Sequence, residues 1–243
     1  MRSVKLFFTG AFLFVAAVVT ANTDKQLWFG YIHQGRITPH WGYWVDIHHR
    51  TKNEFSKNLH TEIFRFGATY FLDNDWRFTA GYAGVLHFPS VSNQRFMRPE
   101  HRPWQQVFYT HTHKNFRTAN YIRSEQRLLQ NTAAEKLADG FVFRQRFRLS
   151  AMFIFCINKK QFKEGSWGVV LNNEVFLNAY ASDKAKLYDQ NRAFAGLTYN
   201  INAALHLQLG YLNVYSLIGT RKETVHGIRL SAFHNFTFTK ARF

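Results

Sequence analysis

The chain has 243 residues, with 31 Lys and Arg against 15 Asp and Glu, a formal net charge of +16. Aromatic residues make up 18% of it, 26 of them Phe, yet the mean hydropathy is −0.30. Charged or amide residues interrupt every apolar run beyond the N-terminus, which excludes a bundle of membrane-spanning helices, and the single cysteine, Cys156, excludes an intramolecular disulfide.

At the N-terminus, Arg2 and Lys5 precede an apolar stretch from Leu6 to Val19, and Val19-Thr20-Ala21 offers small residues to a signal peptidase. Residues 1–21 are therefore expected to be a cleaved signal peptide, and residues 22–243 one mature domain of 243 − 21 = 222 residues. No cysteine follows the apolar stretch, so lipoprotein processing is excluded. Without Arg2 and Lys5 the mature charge is 29 − 15 = +14, which suits the phosphates of membrane lipid and lipopolysaccharide, or a lumen biased toward anions. An exported chain with no nucleic-acid-reading motif is not expected to bind nucleic acid.

An exported chain without spanning helices is either soluble or a β-barrel, the one non-helical structure that satisfies its backbone in lipid. The aromatic load favours a barrel with lipid-facing strands and aromatic girdles. Period-two segments are read near 26–36, 41–51, 59–71, 76–88, 101–113, 116–129, 140–156, 167–179, 187–200, 204–216 and 225–239. Most reach the length of about 10 residues that a tilted spanning strand needs. Phe78, Ala80, Tyr82, Gly84 and Leu86 alternate with Arg77, Thr79, Gly81 and Ala83; Phe143, Phe147, Leu149, Ala151, Phe153 and Phe155 alternate with a row that includes Arg144, Arg146, Arg148 and Ser150. The fold class expected is an all-β, antiparallel transmembrane barrel of about 10–12 strands in the outer membrane. Eleven segments are counted, and because bacterial single-chain barrels have even numbers, 12 is preferred to 10. The rival is a soluble lipocalin-like barrel, with the apolar rows turned inward and the arginines outward.

Residues 70–82 align without gaps on 199–211, and Ile37-Thr38-Pro39-His40-Trp41 shares their spacing. Three tight hairpins on one end are expected, with longer loops at 88–100, 130–139, 157–166, 180–186 and 217–224 on the other. Short periplasmic turns and long outer loops are the bacterial arrangement. The terminal Phe243 resembles the signal read by the outer-membrane insertion machinery.

The polar rows are ionic. Arg123, Glu125 and Arg127 share a face, as do Arg144, Arg146 and Arg148; Glu174 with Asn172 and Asn178, then Gln190 and Arg192, then Arg229, follow on later strands. Asp46, His48 and Arg50 alternate, and Glu62 begins another strand. An arginine near the midplane of the lipid face costs about 2–4 kcal/mol, so these charges are expected in the lumen or at its rims. They suit either a ladder of Arg–Glu pairs filling a narrow interior or a positive constriction that takes small anions. Twelve histidines, among them His48-His49 and His111-Thr112-His113, raise the alternative of a lipid- or lipopolysaccharide-acting hydrolase. No nucleophile elbow accompanies them, and no catalytic residue, metal ligand or cofactor is assigned. A structural or surface-recognition barrel is the third possibility, and the oligomeric state is left open.

Leu27-Trp28-Phe29-Gly30, Arg102-Pro103-Trp104-Gln105-Gln106, Arg123-x-Glu125-x-Arg127, Asn173-Glu174, Asp189-Gln190-Asn191-Arg192 and Leu209-Gly210-Tyr211 occur in this order. Together they resemble the outer-membrane proteins grouped as domain of unknown function 2490. The resemblance implies a barrel in the outer membrane and carries no catalytic residues.

Overall fold

The structure is a computed structural model that describes residues 22–52, 55, 58–89, 96–133, 136–158, 160–179, 187–218 and 221–238. The expected signal peptide and Phe243 lie outside the described residues. Alternating sequence becomes strand throughout: β1 (Asn22–Arg36), β2 (Trp41–Lys52), β3 (Asn58–Phe71), β4 (Trp76–His87), β5 (Arg98–His113), β6 (Phe116–Ala133), β7 (Lys136–Cys156), β8 (Trp167–Asn178), β9 (Tyr188–Asn200), β10 (Leu205–Ile218) and β11 (Arg221–Thr237). Each pairs with its neighbours in sequence, and β1 closes the barrel against β11.

The closure settles the parity. The described residues form eleven strands, as counted in the sequence, and the twelfth that an even number would require is not among them. In an up-and-down barrel, strand one and strand eleven run the same way. Their pairing is accordingly parallel, from Asn22 opposite Glu223 to Arg36 opposite Thr237, while every other pair is antiparallel. The described chain therefore enters at one end of the barrel and leaves at the other.

The three repeated turns share one hydrogen-bond pattern at one end. Ile37 donates to the Trp41 carbonyl at 2.9 Å, Leu72 to Trp76 at 3.0 Å and Ile201 to Leu205 at 2.9 Å. In each, a short polar side chain accepts from the backbone leading into the next strand: Thr38 from Trp41, Asp73 from Trp76, Asn202 from Leu205. This is the side-chain mimicry that makes Thr, Asp and Asn turn residues. Two expectations about the loops need correction. Segment 157–166 connects β7 to β8 at the turn end, because β7 runs toward it. Segments 130–139 and 217–224 are largely strand, since β6 and β7 continue to Ala133 and from Lys136, and β10 and β11 to Ile218 and from Arg221.

The repeat also sets two creases in the wall. Gly67 faces Gly81 across β3 and β4, and Gly196 faces Gly210 across β9 and β10. A Cβ on Gly81 would stand 2.1 Å from the Phe66 carbonyl oxygen, and one on Gly210 would stand 2.3 Å from that of Ala195. Neighbouring backbones come too close there for any side chain.

Exposure decides which face is outside. On β3, Phe64 and Phe66 are each 49% exposed while Arg65 between them is 5% exposed. The greasy rows point outward and the arginine rows inward, opposite to a lipocalin. At the turn end the outer wall carries aromatic pairs, Trp41 with Tyr70, Trp76 with Tyr109 and Trp167 with Tyr199, with centroids 5.0, 4.7 and 4.6 Å apart. Toward the other end it turns polar: His101 is hydrogen-bonded to the Tyr82 hydroxyl, His226 to that of Tyr211, and His49 pairs with Glu62. An apolar band between amphipathic rims is the outer surface of a transmembrane barrel.

Candidate functional site

The interior is lined in part by apolar side chains. Two apolar clusters face inward, Trp28 with Ile154, Val170, Phe194, Leu212 and Val214, and Ile32 with Trp44, Ile63, Ala83, Val85 and Trp104. Sequence reasoning assigned the lumen to charge alone and missed these tryptophans. The signal was present in their parity: Trp28 alternates with Leu27 and Phe29 and shares a row with Gln26, and Trp44 shares one with Asp46.

A belt of ion pairs also runs across five consecutive strands, β5 to β9. On β5, Glu100 accepts from Arg127 at 2.7 and 2.9 Å, from Arg102 at 2.7 Å and bonds His87 at 2.7 Å. Arg102 also reaches Glu125 on β6 at 3.8 Å. Glu125, wholly buried, accepts two bonds from Arg146 at 2.7 and 3.0 Å and one from Arg148 at 2.9 Å. Arg123 stands 3.9 Å from the same carboxylate and donates to Gln106 at 2.8 Å. Arg148 continues to Glu174 on β8, which also receives the Tyr121 hydroxyl, and Arg192 on β9 stands 3.8 Å from Glu174. Gln190 accepts from Arg192 at 2.9 Å. The antiparallel registers bring these groups together, Glu125 opposite Arg146 and Glu174 opposite Arg192.

The belt therefore gathers nearly all the lumen residues named from sequence: Arg123, Glu125, Arg127, Arg146, Arg148, Glu174, Gln190 and Arg192. Arg144 does not join it. It shares their parity but is exposed, beyond the point where β8 stops pairing with β7 at Arg146. Asp46 forms a separate centre on β2, accepting from Arg65 at 2.8 and 2.9 Å and lying 3.1 Å from His48. Arg65 was not singled out in the sequence, because its partner lies across a strand pairing rather than along the chain.

On β2, β4 and β11 are three inward arginines that form no ion pair among the described residues. Arg50 lies over Trp28 at 3.8 Å, Arg77 over Phe108 at 3.8 Å and Arg229 over Phe194 at 3.5 Å. The Nε of each is buried and has no hydrogen-bond partner among the described residues. Stacking on an aromatic face offsets part of the cost of desolvating a guanidinium, but it leaves each Nε–H unpaired; Arg77 and Arg229 add only long bonds, from Nη1 to Thr110 at 3.4 Å and from Nη2 to Gln208 at 3.5 Å. Arg192 lies 4.9 Å from the same Trp28 ring, so that ring is flanked by two cations.

The histidines singled out from the sequence do not converge. His48 is inside with Asp46, His111 is exposed at the turn end 2.8 Å from Asp75, and His113 is exposed beside that turn. Ser150 points inward and receives a hydrogen bond from Asn172 at 2.9 Å. No group of three or more His, Cys, Asp or Glu side chains comes together as a metal site among the described residues.

No curated protein matches the sequence. A solved structure of the NanC porin, in a rhombohedral crystal form, is similar over 86% of this chain and 98% of its own, at 12% identity and a TM-score of 0.49. The family model described as protein of unknown function, DUF2490, matches residues 25–224. The chain belongs to that family.

Proposed function

We propose that the protein is an integral outer-membrane barrel whose lumen is a narrow pore or binding site for small anionic solutes. The observation that carries this reading is the imbalance of buried charge. Arg50, Arg77 and Arg229 bring guanidiniums into the lumen that form no ion pair among the described residues, beyond the arginines already shared among Glu100, Glu125 and Glu174. Burying an unpaired cation is costly, and a visiting carboxylate, phosphate or halide relieves that cost through charge-assisted hydrogen bonds. The outer-membrane location is supported by the apolar outer wall and by the signal-like N-terminus. Lipopolysaccharide phosphates suit the mature positive charge, and Phe243 suits recognition by the insertion machinery.

Reconstitution of the purified chain in a planar bilayer tests the reading. In a salt gradient the reversal potential should lie on the anion side. A cation-selective barrel, or a silent one that also fails to bind chloride, phosphate or acetate in equilibrium dialysis, would overturn it.

A further inference from the structure

Four of the five connections at the turn end are short, 37–40, 72–75, 114–115 and 201–204, whereas β7 and β8 are joined by the longer segment 157–166. Lys160, Gln161, Lys163 and Glu164 stand exposed in that segment, and Phe162 among them is half-buried. Its ring packs against the inward apolar cluster around Trp28, to which β7 and β8 contribute Ile154 and Val170. Arg117 lays its guanidinium over the same ring, 4.2 Å from the centroid. Arg117 has the parity of Arg123 and Glu125 and stands opposite Ile154 across β6 and β7, so inward groups hold the ring. The segment therefore turns Phe162 back into the lumen instead of leaving it over the rim.

The backbone is shaped for this placement. Gln161 and Phe162 both have positive φ, 52° and 63°, a left-handed conformation that residues with a Cβ resist. Such residues persist only where surrounding contacts fix them. The base of the segment is fixed by hydrogen bonds: Gly165 N–H donates to the Asn200 carbonyl at 2.8 Å, Asn200 N–H to the Ser166 carbonyl at 3.0 Å, and Asn158 Nδ2 to the Gly165 carbonyl at 2.8 Å. Burial of the ring is what offsets the strain at its tip. We infer that Phe162 is the constriction residue of the lumen at the turn end, limiting the size of solute that passes, with Arg117 as the cation beside it. A negatively charged solute meets Arg117 where it meets the ring, so size and charge are read at one point.

The inference deepens the pore reading and rests on it for conduction, and the experiment keeps the two apart. Phe162→Gly removes the ring and suits the left-handed backbone. Gln161→Gly relaxes the neighbouring residue but keeps the ring. In planar bilayers Phe162→Gly should raise the single-channel conductance, and Gln161→Gly should match wild type. Access to the lumen is read without conduction from the rate at which a neutral methanethiosulfonate reagent modifies Met152→Cys, in a chain that also carries Cys156→Ser. Met152 packs against the same cluster as Phe162. With Phe162→Gly the thiol should react about tenfold faster, the weight of roughly 1.4 kcal/mol of ring burial, and with Gln161→Gly at the unaltered rate. Faster reaction in Phe162→Gly with every variant silent in the bilayer would keep the constriction and count against the pore. Equal rates and equal conductance in all three would overturn the constriction and leave the pore standing. An equal gain from Gln161→Gly would assign the effect to the backbone and overturn the role of the ring.

Discussion

Arg50 lies over Trp28 with its guanidinium carbon 3.8 Å from the ring centroid, and it makes no hydrogen bond or ion pair among the described residues. An inward cation held by an aromatic face alone is poised to exchange its missing partner for a solute. Replacing it should therefore change what the lumen accepts more than how the barrel folds. Arg50→Gln combined with Arg229→Gln should move the reversal potential in a salt gradient toward zero. A potential identical to wild type would remove these arginines from the site.

Glu125 balances Arg146 and Arg148 by direct hydrogen bonds and has Arg102 and Arg123 within 4 Å. Glu125→Gln leaves those guanidiniums uncompensated in a buried setting, a loss of about 3–5 kcal/mol. Urea unfolding of the detergent-folded barrel should show it. Asp75→Asn, which breaks only the exposed pair with His111, should cost less than about 1 kcal/mol in the same assay.

A crease glycine and an open one make a paired prediction. Gly210→Val forces a side chain against the β9 backbone and should lower stability by about 1–3 kcal/mol or prevent folding. Gly84→Ala enters open space and should leave the unfolding midpoint unchanged. Equal effects would contradict the close approach between β9 and β10.

Outward direction can be tested at one position. Phe66 is 49% exposed on the apolar wall, and Phe66→Arg should cost about 2–4 kcal/mol for folding into lipid vesicles. In a barrel standing in water the same change would be near neutral, so comparing vesicle with detergent folding separates the two environments.

Much of the barrel was legible because β-strand side chains alternate locally. The rows Phe78–Leu86 and Phe143–Phe155 identify their faces with no knowledge of any neighbour, and the shared spacing of 37–41, 70–76 and 199–205 marks turns of one type. The parity of Arg146, Arg148, Glu125 and Glu174 likewise placed them inside. Arg144 was legible only in parity: whether it is enclosed depends on how far β8 extends beside it. Trp28, Trp44 and Trp104 were passed over because an aromatic residue in an aromatic-rich barrel reads as lipid-facing unless its row is counted. Segment 157–166 was assigned by its polarity, whereas its end of the barrel is fixed by strand direction.

The sequence by itself determined where the strands run, which side chains share a face, and that one face is greasy and the other ionic. These follow from a period of two along a single strand. Only the tertiary structure decided that Glu125 meets Arg146 and Arg148, that Asp46 meets Arg65, that Arg50 is left with Trp28, and that strand one closes in parallel on strand eleven. Those outcomes depend on the register of each strand against the next and on closure of the whole sheet, which brings residues some two hundred positions apart, such as Tyr31 and Ala232, side by side.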